Sequence, residues 1–570
     1  MNKVLAAILL ASTVCADDSV DLILVGGKIV TVDSSFQIDS AMAIRDGKVV
    51  QTGTDEQIIE LAHDRSLVVQ LNGRMVLPGL IDSHTHPTGA SRFEADHEVP
   101  SMQTIQDVLD YVQARTKVVP KGEWINLSQV FITRLREQRF PTRQELDSVA
   151  PDHPVSFRTG PDGSANSLAL QANNIDREFA ARHPNNVMVD ASGEPNGILR
   201  KASSVLKVRG AGSRQLSEQE QDDRLVALFR DYNRVGITAT IDRNCSDSAH
   251  SQYVRILNAG RLSVRVRMSR GISPRQDLRT IEARLDAFAE DDLFTAPGPR
   301  LGIIGVKCFL DGGMLTGSAF FRQPWGISQI YGIEDPAYRG MQYIETDRVE
   351  ELVRASASRG LAFTAHCQGD AAVEALISVY EKVNESIPIG PTRSSVTHSS
   401  FMSKKAIAGA ARLGVGVDLQ PAWLYLDART LLAQFGSERL EYFIPLKSLM
   451  DAGVKAGGGS DHMQKIGSYR SVNPYNPFLG MWIAATRNAR WHDEPVHPEQ
   501  ALSRREMIQF YTINNAWLMR MDHEIGSLEP GKRADFVIID RDLLRCPVSD
   551  IQETKVISVW MDGKKLTLTE

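Results

Sequence analysis

The sequence lacks the features of membrane, nucleic-acid-binding and repeat proteins. Beyond residue 16 no apolar run is long enough to cross a bilayer, so we expect no stable membrane insertion. Lys and Arg (64) nearly balance Asp and Glu (70), and no long basic run occurs, so we expect no nucleic-acid partner. No internal repeat or low-complexity tract is present.

Cysteine is also scarce, with five residues in 570. Apart from Cys15, the other four permit disulfide bonds without requiring them. Cys308 and Cys367 lie in apolar runs typical of buried strands, so we expect free thiols there. The composition is that of a soluble globular protein, 42% hydrophobic and 24% charged, and the length allows a large domain plus a small one.

Residues 1–16 have the pattern of a signal peptide. Lys3 provides a positive start, Val4–Val14 is a short apolar run, and small residues precede Asp17. A buried N-terminal helix is the alternative interpretation, and lipidation of Cys15 stays open. The pattern predicts a secreted or periplasmic protein without residues 1–16.

Strand-like runs lie at both ends of the remaining chain, in residues 17–77 and 521–570. Two pairs in the first region are expected hairpin turns, namely Asp46-Gly47 and Asn72-Gly73. Neither region alone has enough strands to bury a face. We therefore expect one small β-sandwich built from both termini.

Between these ends, residues 78–520 alternate between apolar runs and helical patterns. Most runs are continuously apolar, as in parallel strands covered by helices. The candidate strands are Gly79–His84, Gly236–Asp242, Leu262–Met268, Ile303–Leu310, Leu361–His366, Ser395–His398, Gly414–Gln420 and Val454–Ser460. This alternation predicts an α/β fold of the (β/α)₈ TIM-barrel class, with a doubly wound sheet as the alternative.

The alternation breaks between about residues 88 and 220, although the first two barrel strands should be close in sequence. A helical pattern at Thr104–Lys117 and several prolines occur there. We interpret this region as a large insertion after the first strand. Insertions at that point lie on the face of a barrel where active sites form, so we expect this one to shape a substrate pocket.

Histidines and one aspartate follow the predicted strands at their C-terminal ends. His84 and His86 are two residues apart and therefore face one point in a strand. His366, His398 and Asp461 end or follow later strands. Singly, each could be a core histidine or a turn aspartate. Together they lie where the active face of a barrel should be, and neutral imidazoles suit zinc and related metals.

Lys307 stands inside the apolar run Ile303–Leu310. A charged lysine is costly to bury, and one interpretation is that its aliphatic chain reaches solvent. Burial instead favours the neutral amine, which can add carbon dioxide and form a carbamate able to bridge two metals. Strand alternation points Cys308 and Cys367 away from the barrel interior, so we do not expect them to bind metal.

Several motifs carry a resemblance to a known family. They are VLPGLIDSHTH at Val76–His86, VKCFLDG at Val306–Gly312, HCQGD at His366–Asp370, LQP at Leu419–Pro421 and GSLEPGKRAD at Gly526–Asp535. With these motifs the chain resembles the amidohydrolase superfamily, in the amidohydrolase family 3 branch typified by N-substituted formamide deformylase. The similarity runs from about Asp21 to Leu566.

The resemblance implies six metal ligands: His84, His86, Lys307, His366, His398 and Asp461. The first two histidines would bind one divalent metal with Asp461, and the other two a second. Lys307, carboxylated by carbon dioxide, would bridge them. Asp461 would take a proton from the bridging hydroxide and pass it to the leaving nitrogen. The implied cofactors are one or two divalent metals, expected to be zinc, and the lysine carbamate.

Two departures from the family pattern bear on the substrate. In the insertion, relatives usually carry Asp-Gly-His before an Asn-Ser pair, where this chain has Gly160–Ser164 before Asn166-Ser167. Relatives also usually have an acidic residue before the sixth-strand histidine, where this chain has Thr397. The metal ligands are present, so the chemistry is supported and the substrate is left undefined. By position alone, the candidate substrate contacts are Arg322, Trp423, Tyr425 and His462.

The function expected from these residues is hydrolysis of a carbon–nitrogen bond, other than a peptide bond, in a small molecule. One alternative is that the same metals act on an ester, a lactone or a decarboxylation substrate. Another is a non-catalytic binding protein on this scaffold. The sequence leaves homo-oligomer formation open.

Overall fold

The computed structural model describes residues 19–208 and 214–568. The predicted signal peptide, residues 1–16, lies outside this range. Within it, no helix combines the length and the apolar character that a membrane span needs.

The middle of the chain forms a nearly closed barrel of parallel strands, which confirms the (β/α)₈ prediction. The eight strands neighbour one another in chain order. Backbone hydrogen bonds of 2.8 Å, from Asp461 to His84 and from His86 to His462, connect the last strand to the first. The strands are Leu80–Thr85, Ile237–Cys245, Arg265–Gly271, Leu301–Phe309, Ala362–Cys367, Ser395–His398, Gly416–Leu419 and Ala456–Gly458.

Helices cover the outside of the barrel. Local sequence sets their ends: Ser403 caps the helix Lys404–Leu413, and Gly414 ends it at φ +64°. The other α-helices around the barrel are Glu218–Arg234, Asp247–Asn258, Leu278–Glu290, Asp292–Thr295, Thr346–Ala357, Asp370–Asn384, Pro421–Phe435, Leu446–Asp451, Pro477–Thr486, Arg504–Phe510 and Ile513–Leu518. Short 3₁₀ helices occur at Met314–Thr316, Gly390–Thr392, Glu438–Leu440 and Pro498–Gln500.

Two small sheets lie beside the barrel. One contains, in order, Lys48–Gly53, Ala41–Arg45, Leu22–Val25 and Leu67–Gln70. The other contains Lys564–Lys565, Val556–Met561, Phe536–Ile539, Met75–Pro78, Lys28–Val30 and Ile38–Asp39. In this second sheet Phe536–Ile539 pairs with Met75–Pro78, so strands from both ends of the chain share one sheet. Leu24, Met42 and Trp560 belong to one apolar core shared by the two sheets. The short helices Asp55–Ile59 and Val548–Glu553 complete this region.

One of the two expected hairpins is wrong. Asp46-Gly47 joins two antiparallel neighbours, as predicted. Asn72-Gly73 instead connects strands that belong to different sheets. Asn72 and Gly73 have φ values of 52° and 75°, so the local turn follows from the sequence. The pairing of its flanking strands is decided by which core each strand packs on.

The segment between the first two barrel strands has a five-stranded sheet that the sequence analysis did not predict. Its strands, in order, are Val187–Val189, Pro195–Leu199, Asp162–Ala165, Val155–Thr159 and Ile125–Leu127. The helices of this segment are Pro87–Arg92, Ile105–Thr116, Ile132–Arg134, Arg143–Val149, Ser167–Ala172, Arg177–Arg182 and Ala202–Ser204. Arg134 in this segment makes hydrogen bonds of 2.8 and 2.7 Å to Asp427. The segment therefore packs on the helix that follows the seventh barrel strand.

Candidate metal centre

Two imidazoles and a carboxylate converge where the first and last barrel strands end. His84 Nε2 lies 3.3 Å from His86 Nε2 and 3.3 Å from Asp461 Oδ1. His86 Nε2 lies 3.1 Å from the same oxygen. His84 and Asp461 are buried, and His86 is partly exposed. The strand geometry expected from the His-x-His pair is what brings these atoms together.

This cluster fits a metal ion. Asp418 Oδ1 lies 2.9 Å from His84 Nδ1, which assigns the ring proton to Nδ1 and leaves the Nε2 lone pair facing His86 and Asp461. Lone pairs held this close repel one another unless a cation or a shared proton lies among them. A tetrahedral ion with ligands at roughly 2.0–2.1 Å holds those ligands about 3.3 Å apart. The observed spacing is therefore that of a ligand set for a zinc-like ion.

His366 and His398, at the ends of the fifth and sixth strands, lie beside this group. The ring centroid of His398 is 4.6 Å from that of His84 and 4.7 Å from that of His366. His366 Nδ1 lies 2.9 Å from Asp311 Oδ1, and His398 Nδ1 lies 2.9 Å from Gln420 Oε1. In both rings Nε2 remains available for a metal.

Three buried residues that orient the histidines were not predicted: Asp311, Asp418 and Gln420. A partner on the second ring nitrogen fixes the tautomer and the direction of a metal-binding histidine. Asp418 also clusters with His84 and His398 at ligand spacing, but it faces the Nδ1 side of His84, which favours orientation over metal binding. The available signal was their place within, or next to, the VKCFLDG and LQP motifs.

Lys307 lies inside the fourth barrel strand and is only 1% exposed. This burial excludes the interpretation in which its ammonium reaches solvent. Its Nζ lies 5.1 Å from the ring centroid of Phe309. Burial lowers the pKa of Lys307 to about 8, because the charged form loses its hydration. Phe309 is 42% exposed, with its ring centroid 5.5 Å from that of His366, and lies at the solvent edge of the cluster.

The backbone around the cluster is strained at three non-glycine residues. His398, Ser399 and Asp461 have φ values of 73°, 45° and 56°. Left-handed conformations of this kind cost on the order of 1 kcal/mol or more each, and they concentrate at functional sites. Hydrogen bonds of 2.8 Å, from Ser399 to the Cys367 carbonyl and from Asp461 to the His84 carbonyl, hold these conformations.

Comparison with known proteins agrees with this arrangement. Residues 67–566 match the amidohydrolase family over most of the chain. The chain belongs to the amidohydrolase family. Over 556 residues it is 26% identical to N-substituted formamide deformylase of Arthrobacter pascens, which covers 95% of this chain and 97% of that relative. Membership makes it a metal-dependent hydrolase of carbon–nitrogen bonds other than peptide bonds.

Solved structures share the fold of this amidohydrolase. An uncharacterised metal-dependent hydrolase from Pyrococcus horikoshii superposes with a TM-score of 0.65 at 22% identity, over 93% of this chain and 99% of that one. Atrazine chlorohydrolase TrzN from Arthrobacter aurescens, complexed with zinc, superposes with a TM-score of 0.52 at 15% identity, over 96% and 95% of the two chains. At these identities the likeness concerns the fold alone.

Burial keeps two of the candidate ligands in the amidohydrolase neutral. Desolvation lowers the pKa of His84 and of His398 well below the usual value for histidine, and the nearby cationic groups act in the same direction. A neutral imidazole has the free lone pair that a metal needs. The neutral state of these two histidines and the geometry of the cluster therefore both suit metal binding.

Asn473 connects the cluster to the insertion. Its Nδ2 donates to the Asp461 carbonyl at 2.7 Å and lies 3.3 Å from Asp461 Oδ2. Its Oδ1 accepts from Arg134 at 3.0 Å and from the Trp423 indole at 3.1 Å. All polar atoms of this buried amide therefore have partners, and the Asp461 backbone and carboxylate are held through it.

The four predicted substrate contacts lie in different environments. Trp423 packs on His398, with ring centroids 4.9 Å apart, and Tyr425 lines a neighbouring cavity. Arg322 pairs with Asp370 at 2.9 Å. His462 is fully buried: its Nδ1 meets Tyr232 at 2.7 Å, and its Nε2 meets the carbonyls of residues 464 and 465. This favours a structural role for His462, which closes the turn after Asp461.

The two departures from the family pattern occupy defined places. Thr397 donates from Oγ1 to Asp418 Oδ2 at 3.1 Å, so it supports the carboxylate that orients His84. Gly160 and Pro161 form a hairpin turn in the insertion, and Asp162 pairs there with Arg200 at 2.7 Å.

Cys308 and Cys367 are free and buried in the apolar core, as expected.

Proposed function

We propose that this amidohydrolase cleaves an amide- or formamide-type carbon–nitrogen bond in a small molecule. The observation that carries the proposal is the convergence of His84 Nε2, His86 Nε2 and Asp461 Oδ1 within 3.3 Å of one another. The 26% identity to a formamide deformylase over nearly the whole chain supports this bond class.

The candidate ligands fall into two groups, which would form two neighbouring metal positions. His84, His86 and Asp461 would hold a first ion, and His366 and His398 a second. Lys307, as a carbamate, would lie between them; its burial in the barrel strand supports this role. Zinc suits the imidazole-rich donor set. When bound, such ions would lower the pKa of water and polarise the substrate carbonyl.

The side chains of the protein supply proton transfer and orientation. The Asp461 carboxylate accepts a proton from the attacking water as the water oxygen adds to the carbonyl carbon of the substrate. It then delivers that proton to the nitrogen as the carbon–nitrogen bond breaks, which yields an acid and an amine. Asn473 holds the Asp461 carboxylate, Trp423 packs on His398, and the Phe309 ring lies beside Lys307. We also propose that residues 1–16 direct export of the protein.

A substrate screen tests this proposal. Zinc-loaded protein is offered N-formyl amines, N-acyl amines, esters and lactones, and the acid released is measured. We expect turnover of the nitrogen compounds, and a roughly 10²–10⁴-fold loss in Asp461→Asn. Asp493→Asn, at an exposed carboxylate, is the matched control and should keep full activity. Turnover confined to esters or lactones would contradict the assignment.

A further inference from the structure

A cavity of about 340 Å³ lies between the insertion and the loop that follows the eighth barrel strand. Its size is in the range of small-molecule sites. Its wall contains four cationic residues, Arg134, Lys465, Arg470 and Arg490, and no aspartate or glutamate among the described lining residues. Phe131, Tyr425 and Leu426 contribute an apolar and aromatic side.

Two of these cations are neutralised within the protein. Arg134 makes a bidentate pair with Asp427 at 2.8 and 2.7 Å. Arg470 pairs with Glu94 at 2.7 Å and with Glu98 at 3.0 Å. These contacts leave Lys465 and Arg490 as the cations of the cavity without an ion pair in residues 19–208 and 214–568.

The side chains of Lys465 and Arg490 make few hydrogen bonds within the described residues. Lys465 is 6% exposed, and its Nζ donates to the Pro100 carbonyl at 3.0 Å, which is the one hydrogen bond of that ammonium in the described chain. Arg490 donates one bond of 2.8 Å to the Arg134 carbonyl, and its buried Nε has no partner among the described residues. Burial lowers the pKa of Lys465 to about 8. Neither side chain has a carboxylate within 4 Å in the described chain; the charges of Glu94 and Glu98 act on Lys465, and that of Asp427 on Arg490, only from farther away. The wall of the cavity therefore offers cationic hydrogen-bond donors that no direct ion pair occupies, which suits an anion.

Wall residues of the cavity are connected to the proposed catalytic centre. Lys465 follows Asp461 by four residues, and the His462 ring pins the turn between them through the carbonyls of residues 464 and 465. On the opposite wall, Arg134 bonds to Asn473, which bonds to Asp461. The loop that carries Asp461 therefore also carries a wall residue of the cavity, which makes the cavity a candidate place for a substituent of a molecule whose scissile bond lies at Asp461.

We propose that Lys465 and Arg490 bind a carboxylate of the substrate, so that the substrate class is N-acyl compounds carrying a carboxylate on an apolar skeleton. The proposal rests on the proposed function, since it places the reacting bond at Asp461. It explains why a buried lysine, a partly buried arginine and an aromatic wall share one cavity beside the catalytic loop. A free inorganic anion has the same charge, and the test separates the two.

The test compares N-formylphenylalanine with N-formylphenethylamine, which has the same skeleton without the carboxylate. Zinc-loaded wild type, Lys465→Met and Arg490→Gln are assayed for formate release. We expect wild type to prefer the carboxylated compound, and each variant to lose at least about tenfold in kcat/KM with it and no more than about twofold with the neutral one. Arg429→Gln, near the cavity but outside its wall, is the control and should match wild type. Equal losses on both compounds, or none, would overturn the proposal.

Two further measurements separate this inference from the proposed function. Calorimetric titration with 3-phenylpropionate needs no turnover; binding at least about tenfold weaker in Lys465→Met supports the carboxylate site even if neither formyl compound is cleaved. Binding that is equal in both proteins overturns it, as does a Lys465-dependent site that takes inorganic phosphate but not 3-phenylpropionate. The melting temperature of Lys465→Met should equal or exceed that of wild type, because an unpaired buried charge is removed. A lower melting temperature would contradict the unpaired-cation argument.

Discussion

Replacing Asp418 by asparagine should weaken metal binding without touching a metal ligand. Asp418 Oδ1 accepts from His84 Nδ1 at 2.9 Å, and Oδ2 lies 3.4 Å from the buried Arg243 guanidinium. Loss of such an orienting partner typically costs 10–100-fold in metal affinity, or about 1.4–2.7 kcal/mol. The variant also leaves Arg243 without its counter-charge, which should cost about 3–5 kcal/mol of folding stability.

A matched variant separates the two effects. Asp535 is another buried carboxylate, bonded to the buried Arg265 at 2.6 and 2.7 Å. Asp535→Asn should therefore also lose stability in urea unfolding, by less than Asp418→Asn because Arg265 keeps its second partner Asp562 at 2.6 Å, while keeping wild-type zinc affinity. Affinity is measured by competition with a chromogenic chelator. The reasoning is refuted if Asp418→Asn binds zinc as tightly as Asp535→Asn.

Three other changes have defined outcomes. Lys307→Ala and Lys307→Arg should both reduce metal content from about two per chain toward one or none and lower activity by orders of magnitude, because neither side chain forms a carbamate; full activity in Lys307→Arg would contradict the bridge. Asn473→Leu should lower kcat about tenfold with little change in KM, since Asp461 loses its hydrogen-bond donor; a higher KM with an unchanged kcat would show that Asn473 does not position Asp461. N-terminal sequencing of exported protein should begin near Asp17, and an intact Met1 would count against export.

The barrel was predictable because most of its strands are mainly apolar runs that alternate with helical patterns. The fourth strand was expected at Ile303–Leu310 and is found at Leu301–Phe309, and the sixth is found where it was expected, at Ser395–His398. The sheet of the insertion was not predicted. Its outer strand Val187–Val189 has only three residues and is partly exposed, so it shows neither a long apolar run nor clear alternation.

The candidate ligands could be predicted because parallel strands bring their C-terminal ends to one face of a barrel. The partners of those ligands could not. Asp418 lies 334 residues from His84 in sequence, and only the register of the closed barrel places the two together. His462 was named as a candidate substrate contact by position alone. The tight turn that engages its ring with the backbone leaves no sequence signal of its own.

Removal and return of the metal tests the central claim most directly. The zinc-loaded chain is stripped with a chelator, and formate release from an N-formyl substrate is followed during stepwise addition of zinc. The account predicts that the stripped protein is inactive and that activity returns in proportion to bound zinc, up to about two ions per chain. Hydrolysis by the metal-free protein at the rate of the zinc-loaded protein would contradict it.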